Sequence, residues 1–373
     1  MAKVRGGKAK LDFLRRISPE TRVFLIFTIV CLLIKLALTS WRAIYAIPNA
    51  LSDDGLMQNT ATSVLDLHWL GAFDAFTLSK RSMFPFYLGL VNALGIPLLV
   101  ANELLYFAAV LVIVFLLKKY TNKKWLPYVV FGLLFFNPAT FATAVSVRIY
   151  RDAIFPSVVL ICLGSLFHVL TNIKKQQPCK GWFITYVISL VAFWFLREES
   201  IWIVPIVLFC SVIIAFFITK NKKVANRKKK ILGLFLIPIF SVLVVGLGFR
   251  FCNLAAYGEF VVTEDQMSTY RDFYGTIGKI NSDERTDTID FPTDVRYKIY
   301  AVSPTFATLE DEIENNIFNV EKNEQRDENP KIQCCPQGIG GAADNRIPLP
   351  APKKHLLSQV LFSGSPCWTR TND

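Results

Sequence analysis

The chain has 373 residues, of which 53% are hydrophobic and 13% aromatic, and its formal net charge is +12 at pH 7. Several nearly uncharged runs approach the roughly 20 residues that cross a hydrocarbon core of about 30 Å, which argues against a soluble globular protein. The basic residues cluster between these runs, as in membrane topology, and no zinc pattern or basic–aromatic strip indicates nucleic-acid binding.

The chain begins with a basic segment, residues 1–22, which is followed by the apolar run 23–39. The segment is too long and polar for a simple signal peptide, and the run lacks a clear small-residue cleavage site. We therefore predict a retained first span with a cytoplasmic N-terminus. Lys35 is expected near the far end of that span, where its side chain can snorkel to the interface.

Residues 41–83 are predicted to form the first outer loop. Its sequence Ser-Asp-Asp-Gly places Asp53 and Asp54 where the first span leaves the membrane. Residues 56–70 fit an amphipathic helix lying on the membrane surface, with Ser52 or Asp53 as its N-cap.

A half-helix or interfacial helix is predicted at residues 84–94, because this apolar run is too short to span and precedes Gly95-Ile96-Pro97. Six further spans are predicted at residues 98–117, 125–147, 153–170, 181–196, 201–218 and 231–251. With the first span they make seven, and every lysine-rich loop then falls on one side, which the positive-inside rule assigns to the cytoplasm. Glu103 is costly inside its span and indicates a polar partner or outer-face exposure. A kink is expected at Asn137-Pro138.

The predicted organisation is all-α and has four parts, which are the N-terminus 1–22, a transmembrane helical domain 23–252, a small extracytoplasmic segment 253–318 and a tail 319–373. The tail shows no helical or strand period. Its ending resembles the product of reading through a transfer-RNA gene on the wrong strand. We therefore expect the tail to be disordered or outside the native reading frame.

The first candidate site is the carboxylate pair Asp53 and Asp54. A carboxylate at a membrane face can take a proton from an acceptor hydroxyl or help to bind a divalent metal, and repulsion within the pair should raise one pKa. The alternative is a plain turn and helix cap. The eight cysteines and three histidines show no metal-site spacing, so the sequence identifies no ligand beyond the two carboxylates. It therefore specifies no cofactor, and it is compatible with a divalent metal.

The second candidate site is the arginine pair Arg148 and Arg151. On a helix that continues past Val147, residues three apart share a face, and the two guanidinium groups would form a fork suited to phosphate. The alternative is that these arginines anchor the end of a span among membrane lipid headgroups.

Four further charged residues are predicted to support these sites. Asp152 is expected to pair with an arginine. The sequence Arg197-Glu198-Glu199 forms a very short turn at the membrane boundary, where charged groups indicate function. Salt bridges between this turn and the Arg148 cluster are the competing interpretation.

Seven stretches in order give the chain a resemblance to a known family. They are Ser52-Asp53-Asp54-Gly55, Leu94-Gly95-Ile96-Pro97-Leu98-Leu99, Phe136-Asn137-Pro138-Ala139, Arg148-Ile149-Tyr150-Arg151-Asp152, Leu196-Arg197-Glu198-Glu199-Ser200-Ile201-Trp202, Ala256-Tyr257-Gly258 and Tyr300-Ala301-Val302-Ser303-Pro304-Thr305-Phe306. The chain resembles, over about residues 20–310, a family of predicted bacterial membrane proteins similar to GT-C-type glycosyltransferases. The irregular tail departs from the family, whose outer domain would continue there.

The resemblance implies a bacterial inner-membrane enzyme that uses a polyprenyl-phosphate sugar donor. GT-C enzymes carry an acidic motif in the first outer loop, and Asp53 and Asp54 occupy that position here. Asp53 or Asp54 would then be the base, and Arg148 and Arg151 would hold the donor phosphate. The C-terminus would be extracytoplasmic.

Two other classes of function remain as alternatives. One is a transporter or flippase for a lipid-linked precursor, although transporters tend to show internal repeats and midplane polar groups, and the sequence shows no repeat. The other is a non-catalytic membrane scaffold.

The predicted topology can be tested with single cysteines introduced into a cysteine-free background. Cysteines at Asn59 and Asp265 should react with a membrane-impermeant thiol reagent in intact cells, because both positions are predicted to lie outside. A cysteine at Asn226, in the strongest basic loop, should be protected. Labelling at Asn226 alone would overturn the topology.

Overall fold

The structure is a computed structural model, and it describes residues 18–45, 53–73, 76–220, 226–284 and 291–314. The predictions made for the tail 319–373, for most of the basic N-terminus, for Ser52 and for the side chain of Asp53 lie outside the described residues.

The regular elements of the described residues are helices, with no strand, in agreement with the all-α prediction. The α-helices are α1 (Pro19–Ser40), α2 (Asp53–Leu65), α3 (Met83–Ala93), α4 (Leu98–Leu117), α5 (Leu126–Phe135), α6 (Thr143–Ser146), α7 (Phe155–Lys174), α8 (Lys180–Trp194), α9 (Ile203–Lys220), α10 (Arg227–Tyr257), α11 (Ser268–Ile277), α12 (Thr293–Val302), α13 (Pro304–Ala307) and α14 (Glu310–Glu312). Short 3₁₀ turns lie at Pro138–Phe141, Arg151–Ala153, Ser200–Trp202 and Glu264–Gln266.

Within the described ranges, five helices are long and apolar enough to cross a membrane, which indicates a multi-pass membrane protein. They are α1, α4, α7, α9 with the turn before it, and α10. The predicted spans at 125–147 and 181–196 correspond to shorter apolar helices, and α8 has 15 residues. At about 1.5 Å per residue α8 is roughly 22 Å long, shorter than the hydrocarbon core. The predicted number of seven spans is therefore not confirmed.

The chain divides into two compact units. The first unit is drawn from Met1–Ile44 and Tyr87–Leu243, and the second unit from Tyr45–Phe86 and Val244–Asp373. The second unit thus combines most of the predicted first outer loop with the end of α10 and the segment that follows it. Each unit is described by itself.

The first unit has an aromatic core where α1, α4 and α5 meet. Phe24, Phe131 and Phe135 are fully buried there with Val110 and Val114. Next to this core, α7 contacts α4, α8 and α9, and it is the most buried of the five long helices. A Cβ atom on Gly164 of α7 would lie 2.7 Å from a methyl group of Val112 on α4, so only glycine permits this close approach.

The helical conformation is interrupted at Asn137-Pro138, where the sequence predicts a kink. Proline has no N–H to donate to the carbonyl four residues earlier, and the N–H of Ala139 is bound by Asn137 Oδ1 at 3.0 Å. The carbonyls of Leu134 and Phe135 therefore accept hydrogen bonds from other helices. Tyr106 Oη of α4 donates to Leu134 O at 2.7 Å, and Lys35 Nζ of α1 donates to Phe135 O at 2.9 Å.

The prediction that Lys35 snorkels to the interface is wrong, because the side chain is completely buried. Its ammonium group lies 3.0 Å from Glu103 Oε2 and also donates to Thr140 Oγ1 at 3.2 Å. The rings of Tyr106 and Phe135 have their centroids 4.6 and 4.5 Å away. For Glu103 the sequence left two alternatives, a polar partner or exposure at the outer face. The structure shows a polar partner, which is Lys35.

Contacts at the two ends of the first unit agree with the predicted sorting of its loops. At one end, Lys119 Nζ lies 3.1 Å from His168 Nδ1, and Lys124 Nζ lies 2.6 Å from Glu20 Oε1. At the other end, Arg42 donates to Ser146 Oγ at 2.8 Å and to the carbonyl of Phe141 at 2.7 Å. The lysine-rich loops that follow α4 and α7 therefore share one end with the start of α1, since Lys175 Nζ also donates to the carbonyl of Lys119, and the orientation in the membrane stays a prediction.

The burial of Lys35 predicts a large energetic coupling with Glu103. Lys35→Met should lower the free energy of unfolding by about 3–5 kcal/mol, because it leaves a buried carboxylate without its cation. The double variant Lys35→Met/Glu103→Gln should lose less than the sum of the two single losses. Both can be measured by reversible unfolding in detergent.

Lys124→Met is the matched control. Lys124 and Glu20 form an exposed pair, and such pairs contribute little to stability because water and salt screen the two charges. Single variants of Lys35 and Glu103 that were both as stable as the parent would contradict the interpretation of the buried pair.

Candidate functional site

Asp53 and Asp54 lie in the first turn of α2, in the second unit. Asp54 is fully buried and shares one face of the helix with the buried residues Met57 and Ala61. Negative charge in a first turn favours a helix because it offsets the positive end of the helix dipole. The position of Asp54 therefore agrees with its alternative interpretation as part of a helix start.

The amphipathic helix predicted at residues 56–70 is observed at Asp53–Leu65. It ends early because Leu67 and Trp69 have φ values of 59° and 52°, a left-handed conformation that a helix does not accommodate. The turn directs Trp69 toward the end of α10, where its Nε1 donates to Asn253 Oδ1 at 2.7 Å.

The helical fork predicted for Arg148 and Arg151 is wrong. Helix α6 ends at Ser146, Tyr150 is extended with φ of −147°, and Arg151 begins a separate 3₁₀ turn. The two guanidinium groups nevertheless meet at one aromatic ring, since their central carbons lie 4.6 and 5.3 Å from the centroid of Tyr150. The structure therefore brings the arginines together through Tyr150.

Salt bridges join the Arg148 cluster to the turn at residues 197–199, as the competing interpretation stated. Arg151 Nη1 lies 2.6 Å from Glu198 Oε2, and the Arg151 side chain is only 3% exposed. Arg197 pairs with Asp152 at 3.0 Å and with Glu199 at 3.4 Å. The four predicted supporting residues thus contact the arginine site or each other.

The carboxylates of α2 and the arginine cluster belong to different units. A common site for the sequence-predicted base and the sequence-predicted phosphate ligands therefore stays a prediction. Within the second unit, hydrogen bonds connect the predicted first outer loop to the end of α10 and to the segment that follows it.

Four hydrogen bonds make this connection. Trp69 donates to Asn253, whose Nδ2 donates in turn to Val261 O at 2.7 Å. The hydroxyl of Tyr257 donates to Gly71 O at 3.0 Å. The backbone N–H of Glu264 donates to Leu78 O at 3.0 Å. The predicted outer loop and the predicted extracytoplasmic segment are therefore parts of one structure.

Glu264 is a candidate functional residue that the sequence analysis missed. Its side chain is 7% exposed, and among the described residues its Oε1 atom is buried without a hydrogen-bond partner. Burial and the neighbouring charge of Asp265 raise the pKa of Glu264 to about 8, although Lys80 opposes the shift. A carboxyl group with a pKa near neutrality can both accept and release a proton under ordinary conditions.

A metal site finds no support in the described residues, where no group of three or more His, Cys, Asp or Glu side chains lies together. Comparison with protein-family models, with curated proteins and with solved structures gives no match. The function is therefore argued from the residues themselves.

The raised pKa of Glu264 predicts a pH-dependent stability. In the unfolded chain this carboxyl ionises near pH 4.5, whereas in the folded chain it holds its proton up to about pH 8. Its contribution to stability is therefore complete below pH 4.5 and is lost as the pH rises to about 8. Since one unit of pKa difference corresponds to about 1.4 kcal/mol, the loss should be on the order of several kcal/mol.

Glu264→Gln should abolish this loss of stability with rising pH, because glutamine stays neutral at every pH. The variant should equal the parent at about pH 4 and below and exceed it in unfolding free energy above about pH 8. Glu259→Gln, at an exposed carboxylate of the same segment, should follow the parent. Identical pH profiles for Glu264→Gln and the parent would show that Glu264 is already ionised in the folded protein.

Proposed function

We propose that the chain is a GT-C-like membrane glycosyltransferase that transfers a sugar from a polyprenyl-phosphate donor to an acceptor at the outer face of a bacterial inner membrane. The observation that most supports this proposal is the second unit, which combines the first outer loop with the segment after α10 and contains two buried carboxyl groups, Asp54 and Glu264. Sugar transfer requires a carboxylate that can accept the proton of the acceptor hydroxyl.

The reaction assigns a task to each kind of group. A carboxylate removes the proton from an acceptor hydroxyl, whose oxygen then forms a bond to the anomeric carbon of the sugar. The bond from that carbon to the phosphate oxygen breaks, and the electron pair leaves with the polyprenyl phosphate. Asp53 or Asp54 is the base that the sequence motif suggests, while cationic groups stabilise the leaving phosphate.

Arg148 is the arginine best suited to the donor phosphate. It is half-buried and lies over Tyr150, whereas Arg151 is almost fully buried and pairs with Glu198. A guanidinium group has five N–H donors in its plane, so the contact of Arg148 with the face of the Tyr150 ring leaves donors for a phosphate oxygen. We assign direct phosphate contact to Arg148 and a positioning role to Arg151.

A transporter or flippase of a lipid-linked precursor is the second candidate, and one observation favours it. Lys35 and Glu103 form a buried ion pair within long apolar helices, and ionisable residues at such depth often mark transport pathways. However, the contacts of Lys35 are explained by the broken helix at Pro138. The pair therefore supports transport less than the carboxylates of the second unit support sugar transfer.

The assigned roles predict two distinguishable phenotypes. Asp53→Asn or Asp54→Asn should lower sugar transfer by about 10²–10⁴ without unfolding the protein if either residue is the base. Arg148→Ala should instead weaken donor binding by about tenfold or more, because a charge-assisted hydrogen bond contributes about 1.5–3 kcal/mol. The measurement is transfer from radiolabelled polyprenyl-phosphate sugars by purified protein.

Arg42→Ala is a matched control, because Arg42 contacts Phe141 and Ser146 outside the arginine cluster. It should leave donor affinity unchanged. Full activity in both aspartate variants would assign the pair to the start of α2 and move the base elsewhere.

A further inference from the structure

The loop that follows α10 is held at both ends by hydrogen bonds from polar side chains. Asn253, which is fully buried, accepts from Trp69 and donates to Val261 O. Gln266 Oε1 accepts from Arg250 Nη2 at 3.1 Å and from the backbone N–H of Val262 at 3.2 Å. Residues fixed by such contacts can hold a reacting group in one orientation.

Glu264 lies in the middle of this fixed loop and is bound to the first outer loop as well. Its N–H donates to Leu78 O, two residues before Lys80. The neighbouring Thr263 is 1% exposed, so the backbone around the carboxyl is enclosed. The protein thus positions Glu264 accurately through its main chain.

The carboxyl of Glu264 contrasts with the satisfied groups around it. Its Oε1 atom is buried and, within the described residues, has no hydrogen-bond partner. Buried oxygens without a partner are uncommon, and a ligand is one of the accepted explanations. A hydroxyl group is the ligand that fits best, since it donates a single hydrogen bond and carries no charge into a site that already contains Asp265 and Lys80.

From this geometry we propose that Glu264 binds the acceptor hydroxyl and is the general base of the transfer reaction. The proposal rests on the proposed function and replaces Asp53 and Asp54 in that one role. The proton passes from the hydroxyl to a carboxylate oxygen of Glu264, the hydroxyl oxygen bonds to the anomeric carbon, and the phosphate leaves with the electron pair of the broken bond. Glu264 then releases the proton to water.

The electrostatic surroundings agree with this role. The charged groups that act on the carboxyl are Asp265, which favours the protonated form, and Lys80, which favours the ionised form; Arg250 is bound to the nearby Gln266. Together, burial and these two charges give Glu264 a pKa of about 8. This is close to the value at which a general base is most effective near neutral pH. Lys80 also supplies positive charge on the side of the first outer loop.

The test is the rate of transfer from radiolabelled polyprenyl-phosphate sugars as a function of pH, for the full-length parent and three variants. The parent rate should rise as the pH passes through about 8, because the base must be ionised. Glu264→Gln should be slower by about 10²–10⁴ and should lose the rise. Glu264→Asp, which keeps the carboxyl on a shorter chain, should recover part of the rate. Glu259→Gln should behave as the parent.

The outcomes separate this proposal from the proposed function. If the parent transfers sugar and Glu264→Gln does so at the same rate and with the same pH profile, Glu264 is not the base although the function stands. If no donor is turned over by the folded parent, the proposed function fails and the base with it. A melting temperature of Glu264→Gln at pH 6 that is at least as high as that of the parent excludes misfolding as the cause of a lost rate, because both folded side chains are neutral there and only the unfolded parent ionises.

Discussion

The first unit depends on how the chain compensates for a proline in an apolar helix. Pro138 cannot donate to Leu134 O, which keeps a long backbone hydrogen bond of 3.4 Å from Asn137 N–H. The N–H of Ala139 is bound by Asn137 Oδ1, so within the described residues Phe135 O has no donor from the following turn in a nonpolar environment. Tyr106 and Lys35 supply the missing donors from two other helices. Because the ammonium group of Lys35 cannot be buried alone, Glu103 accompanies it. The break that follows α5 therefore accounts for polar residues on both α1 and α4, where these helices pack against α5.

These interactions also show which features of the packing can be predicted from sequence. The cost of Glu103 inside a span predicted a polar partner, and Asn137-Pro138 predicted a disturbed helix. The sequence does not contain the information that Lys35 satisfies both, because the partner is set by the packing of α1 against α4 and α5. Without that packing, a lysine near the end of a span is expected to reach the interface, and this expectation proved wrong.

The sequence likewise predicted only part of the candidate site. For the turn at 197–199 the sequence left two interpretations open, a functional site and salt bridges to the residues around Arg148, and the structure contains the salt bridges. The helical fork failed because Tyr150 is extended and α6 stops at Ser146, a local conformation that spacing alone does not reveal. Glu264 was missed because an acidic residue in a polar segment resembles any surface carboxylate until the tertiary structure encloses it.

Among the described residues, Lys35 and Arg151 differ from Glu264 in how their burial is compensated, and the difference bears on function. Lys35 and Arg151 each have an oppositely charged partner inside the protein, so their burial is explained by structure. For Glu264 the described residues provide no hydrogen bond to the buried oxygen, and the cost of burial appears as a raised pKa instead. A group whose partner is internal gains little from binding a ligand, whereas a buried carboxyl without one gains a hydrogen bond when a hydroxyl arrives. For this reason Glu264, in the loop after α10, is a stronger candidate for the reacting group than the acidic motif of the predicted first outer loop.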